Sequence, residues 1–291
     1  MSKTLLVTFA DSGLKRSLRR IAAQAHAIDR FDGVIAACEH DLDANFRKRF
    51  ASRLQHGSRG FGHWAWKPQI ILQTFRSASD GDVVVYCDAG CHLNSGGRRR
   101  LEEYCDMARA STVGILAFQN KPWLGRPEER EFLLPDRAWT KGDMLDYFGV
   151  RGRPDITDSG TIGAGIIVFK VCPSSRTVLE KWLRVFETDF SLVDDTPSRS
   201  PNLPGFREHR HDQAAFSILC KLNEVATASA FEYWYPSQHN TQRADWRMLH
   251  DRPFWAVRDK DRGPLRNLVG WVSQAAWSLA VRSSLLMPHP R

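Results

Sequence analysis

The sequence predicts an α/β fold: one main domain built on a mostly parallel central sheet flanked by helices. Three observations point there. An apolar run from Thr4 to Phe9 leads into a helical pattern with Leu14, Leu18 and Ile21 on one face, and then into a second apolar run, Gly33 to Cys38. That β-α-β order opens a parallel sheet. The β-branched run Val83-Val84-Val85-Tyr86-Cys87 stops abruptly at Asp88-Ala89-Gly90, as a buried strand does where its C-terminal end meets the ligand-holding edge of an open sheet. Two more apolar runs, Val113–Phe118 and Ile166–Phe169, read as strands, and a helical stretch runs from about Arg176 to Phe190.

The bulk composition narrows the function classes. A chain of 291 residues with 42% hydrophobic and 25% charged content can bury a large core, and it contains no uninterrupted apolar stretch of membrane-spanning length. Met1-Ser2-Lys3 passes straight into the first strand without a leader pattern, so a cytoplasmic protein is the expectation. The six cysteines are scattered, which favours free thiols. Lys and Arg exceed Asp and Glu by 41 to 33, a net charge of +8 that suits an anionic partner: a nucleotide, an acidic glycan or a membrane surface. Nucleic acid is disfavoured, because the basic residues are dispersed and carry no recognised binding motif.

Candidate site residues follow in chain order. Asp11, Ser12 and Gly13 lie in the loop after the first strand, at the ligand edge, or they cap the next helix. In Gly60-Phe61-Gly62-His63-Trp64-Ala65-Trp66-Lys67-Pro68, the tryptophans offer flat surfaces and Lys67 a point charge for a phosphate, ahead of a helix with Pro68 in its first turn. The bland alternative is core tryptophans and a solvated lysine. Asp88 is a hard oxygen ligand suited to Mn²⁺ or Mg²⁺, or a turn former, and Gly90 leaves room for a phosphate or sugar. Arg98-Arg99-Arg100 reads as a solvated helix face or an anion trap, Lys121–Pro135 as a lid or acceptor-recognition loop, and Trp139–Leu145 as a short capped helix. Glycines at 160, 163 and 165 do not have dinucleotide-fingerprint spacing, so small-residue clearance beside a ligand is inferred instead.

Asp194–Gly205 is expected to be a mobile surface loop. After it, Glu208-His209-Arg210-His211-Asp212-Gln213 opens a helical run; His211 and Asp212 there could bind a metal, orient a hydroxyl or take a proton, or be ordinary surface groups. The spacing completes no zinc motif. Beyond Gly263, Leu265, Leu268, Val269, Val272, Ala276, Leu279 and Ala280 form one helical stripe, with Trp271 and Trp277 outside it. The chain thus divides into a main domain, 1–262, and an amphipathic tail, 263–291, that docks on the body or a partner or touches a membrane surface peripherally.

The ordered set GFGHWAWKP, VVVYCDAGCHLN, WTKGD, DSGTIGAGIIVFK and HRHDQAAFSIL, within roughly residues 1 to 240, resembles bacterial glycosyltransferases with a GT-A-like nucleotide-sugar-binding fold. The resemblance implies transfer of a sugar from a nucleotide-sugar donor to a hydroxyl of a bacterial polysaccharide or glycoconjugate acceptor. It implies Asp88 and Asp212 as catalytic residues, and Lys67, Trp66, Asp88, Ala89, Gly90 and Gly165 around the donor. It also implies Asp88 and His211 as ligands of a divalent cation, Mn²⁺ or Mg²⁺. The family's DxD motif is matched by Asp88-Ala89-Gly90, with glycine at its third position. Two other readings stand beside it: a nucleotidyltransferase or phosphohydrolase on a similar edge, and a non-catalytic membrane-surface assembly protein with a degenerate sugar-nucleotide fold.

Overall fold

The structure, a computed structural model, describes residues 2–238 and 243–259; the expected tail, 263–291, lies outside them. The strands are β1 (Thr4–Phe9), β2 (Gly33–Ala37), β3 (Val83–Cys87), β4 (His92–Leu93), β5 (Ile115–Gln119), β6 (Ile162–Lys170), β7 (Ala226–Ser229) and β8 (Phe254–Trp255). Six of them form one sheet in the order β2-β1-β3-β6-β5-β7. β1 pairs in parallel with β2 and β3, and β5 with β7, whereas β6 runs antiparallel to both β3 and β5. The sheet is therefore mixed but mostly parallel. All five residues of β3 are buried, as expected of a β-branched run at the centre of a sheet covered on both sides.

Strand alternation sorts the core into two layers. Val7, Phe9, Val84, Tyr86 and Ile167 face a layer supplied by the helices Trp66–Ser77, Pro173–Thr188 and His211–Leu222. Leu6, Val83, Val85, Ile166 and Val168 face the other layer, built by the helices Lys15–Ile28 and Arg98–Ala110. The first helix is thus longer than its sequence pattern, ending at Asp29 in the left-handed region. Among the described residues no helix is long and apolar enough to cross a membrane. All six cysteines are free thiols.

Two sequence expectations change, and three strands were not anticipated. β7 and the short pair β4–β8 were not legible: Ala-Thr-Ala-Ser is too small and polar to stand out, and the pair spans two residues per strand. Asp194–Gly205 is tied down: the Asp143 carboxylate accepts from Arg199 N and Ser200 N at 3.0 and 2.8 Å, and Lys141 Nζ donates to the carbonyls of Ser191, Asp194 and Thr196. Its backbone demand is met inside the protein, so it is no free loop.

The arginine run is divided: Arg99 is solvated, as a helix-face reading expects, whereas Arg98 and Arg100 are spent on partners inside the protein. Arg98 donates to the carbonyls of Ala27 and Ile28, where the first helix ends. Arg100 makes a two-pronged pair with buried Glu232 at 2.8 Å for each prong, and Glu232 also receives Tyr104 Oη at 3.0 Å and meets Arg252 at 3.1 Å. This network fastens the 252–259 segment, which pairs through β8 and reaches Gly90 O by Asp259 N at 2.9 Å. Replacing Glu232 by alanine leaves two guanidinium groups without their shared buried partner. Urea unfolding should register a loss of about 3–5 kcal/mol, whereas Glu103→Ala, which removes only an outer partner of Arg100, should cost under about 1 kcal/mol.

Candidate functional site

The site is assembled where β3 ends. Alternation along β3 puts Tyr86 and Asp88 on the same face, the one covered by the Trp66–Ser77 helix. Lys67, in the first turn of that helix, reaches Asp212 Oδ2 at 2.8 Å, Asp88 Oδ1 at 3.3 Å and the Ala164 carbonyl of β6 at 3.1 Å. An ammonium has three donors, and three protein acceptors surround this one. Lys67 is 3% exposed. The lysine is thus neither solvated nor free to meet a phosphate; it clasps two carboxylates from distant parts of the chain.

The two carboxylates differ in surroundings. Asp212 is buried at the start of the His211–Leu222 helix, while the Asp88 side chain is 37% exposed. Tyr86 Oη donates to Asp88 Oδ1 at 2.5 Å, and Asp88 N donates to Gly165 O at 2.8 Å. Among the described residues Asp88 Oδ2 receives no hydrogen bond. Burial, with the Asp88 charge adding, drives the Tyr86 phenol well above its ordinary range, so it stays a donor. Burial works against the charge on Lys67, but Asp212 and Asp88 outweigh it and hold the ammonium above its usual range. Burial pushes the Asp212 carboxyl up to about 6; Lys67 opposes this and the Asp88 charge adds to it.

The other sequence candidates fall into three groups. Trp66 is 5% exposed, stacks on Phe9 at 4.1 Å between ring centroids and donates Nε1 to Gly60 O at 2.9 Å; it serves the core and presents no open face. Gly165 is small for a reason inside the protein: a Cβ there would lie 3.0 Å from Asp88 Oδ2. Ala89 is buried, and Gly90 faces the Arg258 backbone, which would lie in ordinary contact, 3.5 Å, from a Cβ there. His211 is buried but turned to different partners, with Nδ1 2.7 Å from Val193 O. The structure therefore unites Lys67, Asp88, Asp212 and Gly165, and separates Trp66 and His211 from them.

Sequence reading missed Tyr86 and three arginines. Tyr86 was legible, two residues before Asp88 on a strand. Arg210 lies with Cζ 4.2 Å from the Trp139 ring centroid and pairs with Glu208. Burial lowers its proton affinity and Glu208 raises it, while Arg258 and Arg59 stand close enough to lower it again by like-charge repulsion. Arg258 is exposed beside Gly90, and Arg59 pairs with Asp195. Arg258 is thus the exposed guanidinium at the Asp88 end of the site, whereas Arg59 and Arg210 are each already paired with a carboxylate.

The divalent ion implied by the DxD resemblance was tested against these residues. Position 90 is glycine, and the second carboxylate near Asp88 is Asp212, with the Lys67 ammonium between them. A positive charge already stands where two acids would share a cation, and His211 faces elsewhere. A divalent ion held jointly by Asp88 and His211 does not fit this arrangement, and no chemical step is assigned to one.

No protein-family model and no curated protein matches the chain. Among solved structures it is similar to mouse xyloside xylosyltransferase 1 in its apo form, at 11% identity and a TM-score of 0.42 over 80% of this chain and 87% of that one. It is also similar to the apo WbbM bifunctional glycosyltransferase, at 14% identity and a TM-score of 0.45 over 90% of this chain and 46% of that one. A third is the galactosyltransferase LgtC in complex with donor and acceptor sugar analogues, at 13% identity and a TM-score of 0.38 over 79% of this chain and 74% of that one. These are distant likenesses, and residue roles rest on the geometry above.

The raised Asp212 carboxyl has a measurable consequence. Between about pH 4, where an ordinary Asp ionises, and about pH 6, the folded chain keeps a proton that the unfolded chain has released. The contribution of this group to stability is therefore fullest below about pH 4 and declines as pH rises to 6. Urea unfolding across this range should show that decline missing from Asp212→Asn; parallel pH profiles for the two proteins would mean that Asp212 ionises normally.

Proposed function

We propose that the protein is a glycosyltransferase that moves a sugar from a nucleotide-sugar donor to a hydroxyl of a bacterial polysaccharide or glycoconjugate acceptor. The observation that carries this reading is the partly exposed Asp88 carboxylate at the end of β3, held by Lys67 and Tyr86, with the exposed Arg258 beside Gly90. A rigid acceptor for hydroxyl hydrogen bonds next to an anion-attracting rim complements a molecule that carries both sugar hydroxyls and a diphosphate. The ordered motifs and the net positive charge support the same reading.

In this proposal Asp88 accepts hydrogen bonds from donor hydroxyls and fixes the sugar relative to the acceptor. The arginines hold the diphosphate and stabilise the charge that grows on its oxygen as the bond to the anomeric carbon breaks, the bond from the acceptor oxygen forms and the acceptor's hydroxyl proton passes to the departing diphosphate oxygen. Asp212, buried and clasped by Lys67, acts through Lys67 on the position of Asp88, which makes it a positioning residue. The acceptor is placed on the cytoplasmic side, with the 263–291 tail as a candidate for peripheral contact.

Binding and transfer assays with UDP-, GDP- and CMP-sugars, with and without Mn²⁺, test the proposal directly. A donor should bind and yield glycosylated product with release of the intact nucleotide; binding of none, or cleavage of nucleoside triphosphates instead, would sink it. Asp88→Asn should fold and lose roughly 10–100-fold in kcat/KM, the worth of a charged hydrogen bond. Arg210→Ala should mainly raise donor KM and make its dependence on salt shallower than in wild type. Asp212→Asn should lower kcat and erase an acid limb centred near pH 6, the value to which burial pushes its carboxyl.

A further inference from the structure

A second cluster of ligating groups begins one residue before Asp212. His211 opens its helix with φ 49°, in the left-handed region. Its Nδ1 lies 2.7 Å from Val193 O. A carbonyl only accepts, so Nδ1 carries the proton and Nε2 the lone pair. The His211 side chain is 4% exposed; Nε2 has no hydrogen-bond partner among the described residues, and Asp195 Oδ1 stands 3.8 Å from it. His63 Nε2 approaches Asp195 Oδ2 at 3.1 Å. The ligand atoms of all three residues lie within 4.8 Å of one another.

We propose that His63, Asp195 and His211 form a binding site for a divalent transition-metal ion of the Zn²⁺ type. A buried imidazole nitrogen with a lone pair and no donor calls for a partner. An Nδ1–H given to a backbone carbonyl is the arrangement that orients a metal-bound histidine through its other nitrogen. Two imidazoles and one carboxylate suit Zn²⁺, whereas Mg²⁺ and Ca²⁺ prefer all-oxygen sets. Ligands at Zn–ligand distances of roughly 2.0–2.2 Å in a tetrahedron stand about 3.3 Å apart, close to the 3.1 Å between His63 Nε2 and Asp195 Oδ2, and all three ligand atoms lie within 4.8 Å of one another.

The rest of the neighbourhood accommodates an ion. Arg59 Nη1 holds Asp195 Oδ1 at 2.8 Å, which leaves Oδ2, on the His63 side, to coordinate. His63 is delivered by five consecutive residues with positive φ, Gly60 to Trp64, three of them not glycine. Such a run is costly for L-residues and persists where its surroundings hold it. An ion here would pin together the segment before Lys67, the Asp194–Gly205 stretch and the helix that carries Asp212. The inference does not depend on glycosyl transfer, because it is read from the ligand atoms alone.

Metal-stripped full-length protein titrated with Zn²⁺ by calorimetry, with Co²⁺ absorption as a second readout, tests the site. Wild type should bind and gain thermal stability on Zn²⁺ addition, and its Co²⁺ form should show the visible bands of a low-coordinate imidazole site. Asp195→Asn, on an exposed side chain, and His63→Gln should each weaken Zn²⁺ binding by roughly 10–100-fold or more, while Asp88→Asn should bind Zn²⁺ as wild type does. Absence of Zn²⁺ binding in wild type, equal affinity in wild type, Asp195→Asn and His63→Gln, or a loss in Asp88→Asn as large as theirs would overturn the proposal.

Discussion

The buried ammonium of Lys67 between Asp88 and Asp212 is the interaction on which the site depends. Each partner comes from a different element: Lys67 from the Trp66–Ser77 helix, Asp88 from the end of β3 and Asp212 from the His211–Leu222 helix, with the Ala164 carbonyl of β6 as third acceptor. Taking these charges out of water is expensive, and only close mutual geometry offsets it. The cluster therefore dictates how the helix layer sits on the sheet edge. One lysine facing two carboxylates leaves the cluster with a formal negative charge, which burial relieves by raising Asp212 toward protonation.

Around this core the charge changes sign. Arg258 stands exposed beside Gly90, while Arg59 and Arg210 pair with Asp195 and Glu208. Buried Glu232 performs the complementary task on the opposite layer, gathering Arg100, Arg252 and Tyr104, and so holds the segment that delivers Arg258. Fold and site are coupled through these two charge networks of opposite arrangement.

Small residues near the site serve close packing of the protein on itself. Gly165 makes room for the Asp88 carboxylate, whereas a Cβ at position 90 would meet the Arg258 backbone only at ordinary contact distance. Sequence inspection attributes such clearance to a ligand, because a glycine records that something approaches and not what approaches. The glycine at position 90 has the further effect that no second carboxylate follows Asp88, and Lys67 supplies the positive charge beside it.

The sheet was legible from residue patterns alone. Five of its strands announce themselves as apolar β-branched runs, and Asp88 was identifiable because a polar residue ending such a run stands at a sheet edge. Tyr86 was legible by the same alternation. Periodicity left β7 hidden, since a four-residue strand of Ala, Thr and Ser carries no apolar signal, and it gave no account of the reversed direction of β6, which pairing alone reveals. The sequence by itself determined the α/β class, the strand-end carboxylate and the helix start that holds Asp212. Only the tertiary structure decided that Lys67 is spent on two carboxylates, that Trp66 belongs to the core, and that His211 joins His63 and Asp195, which are 132 residues apart. The physical reason is range: strand and helix periods act over neighbouring residues, whereas ion pairs and ligand clusters form between side chains that chain folding alone brings within a few ångströms.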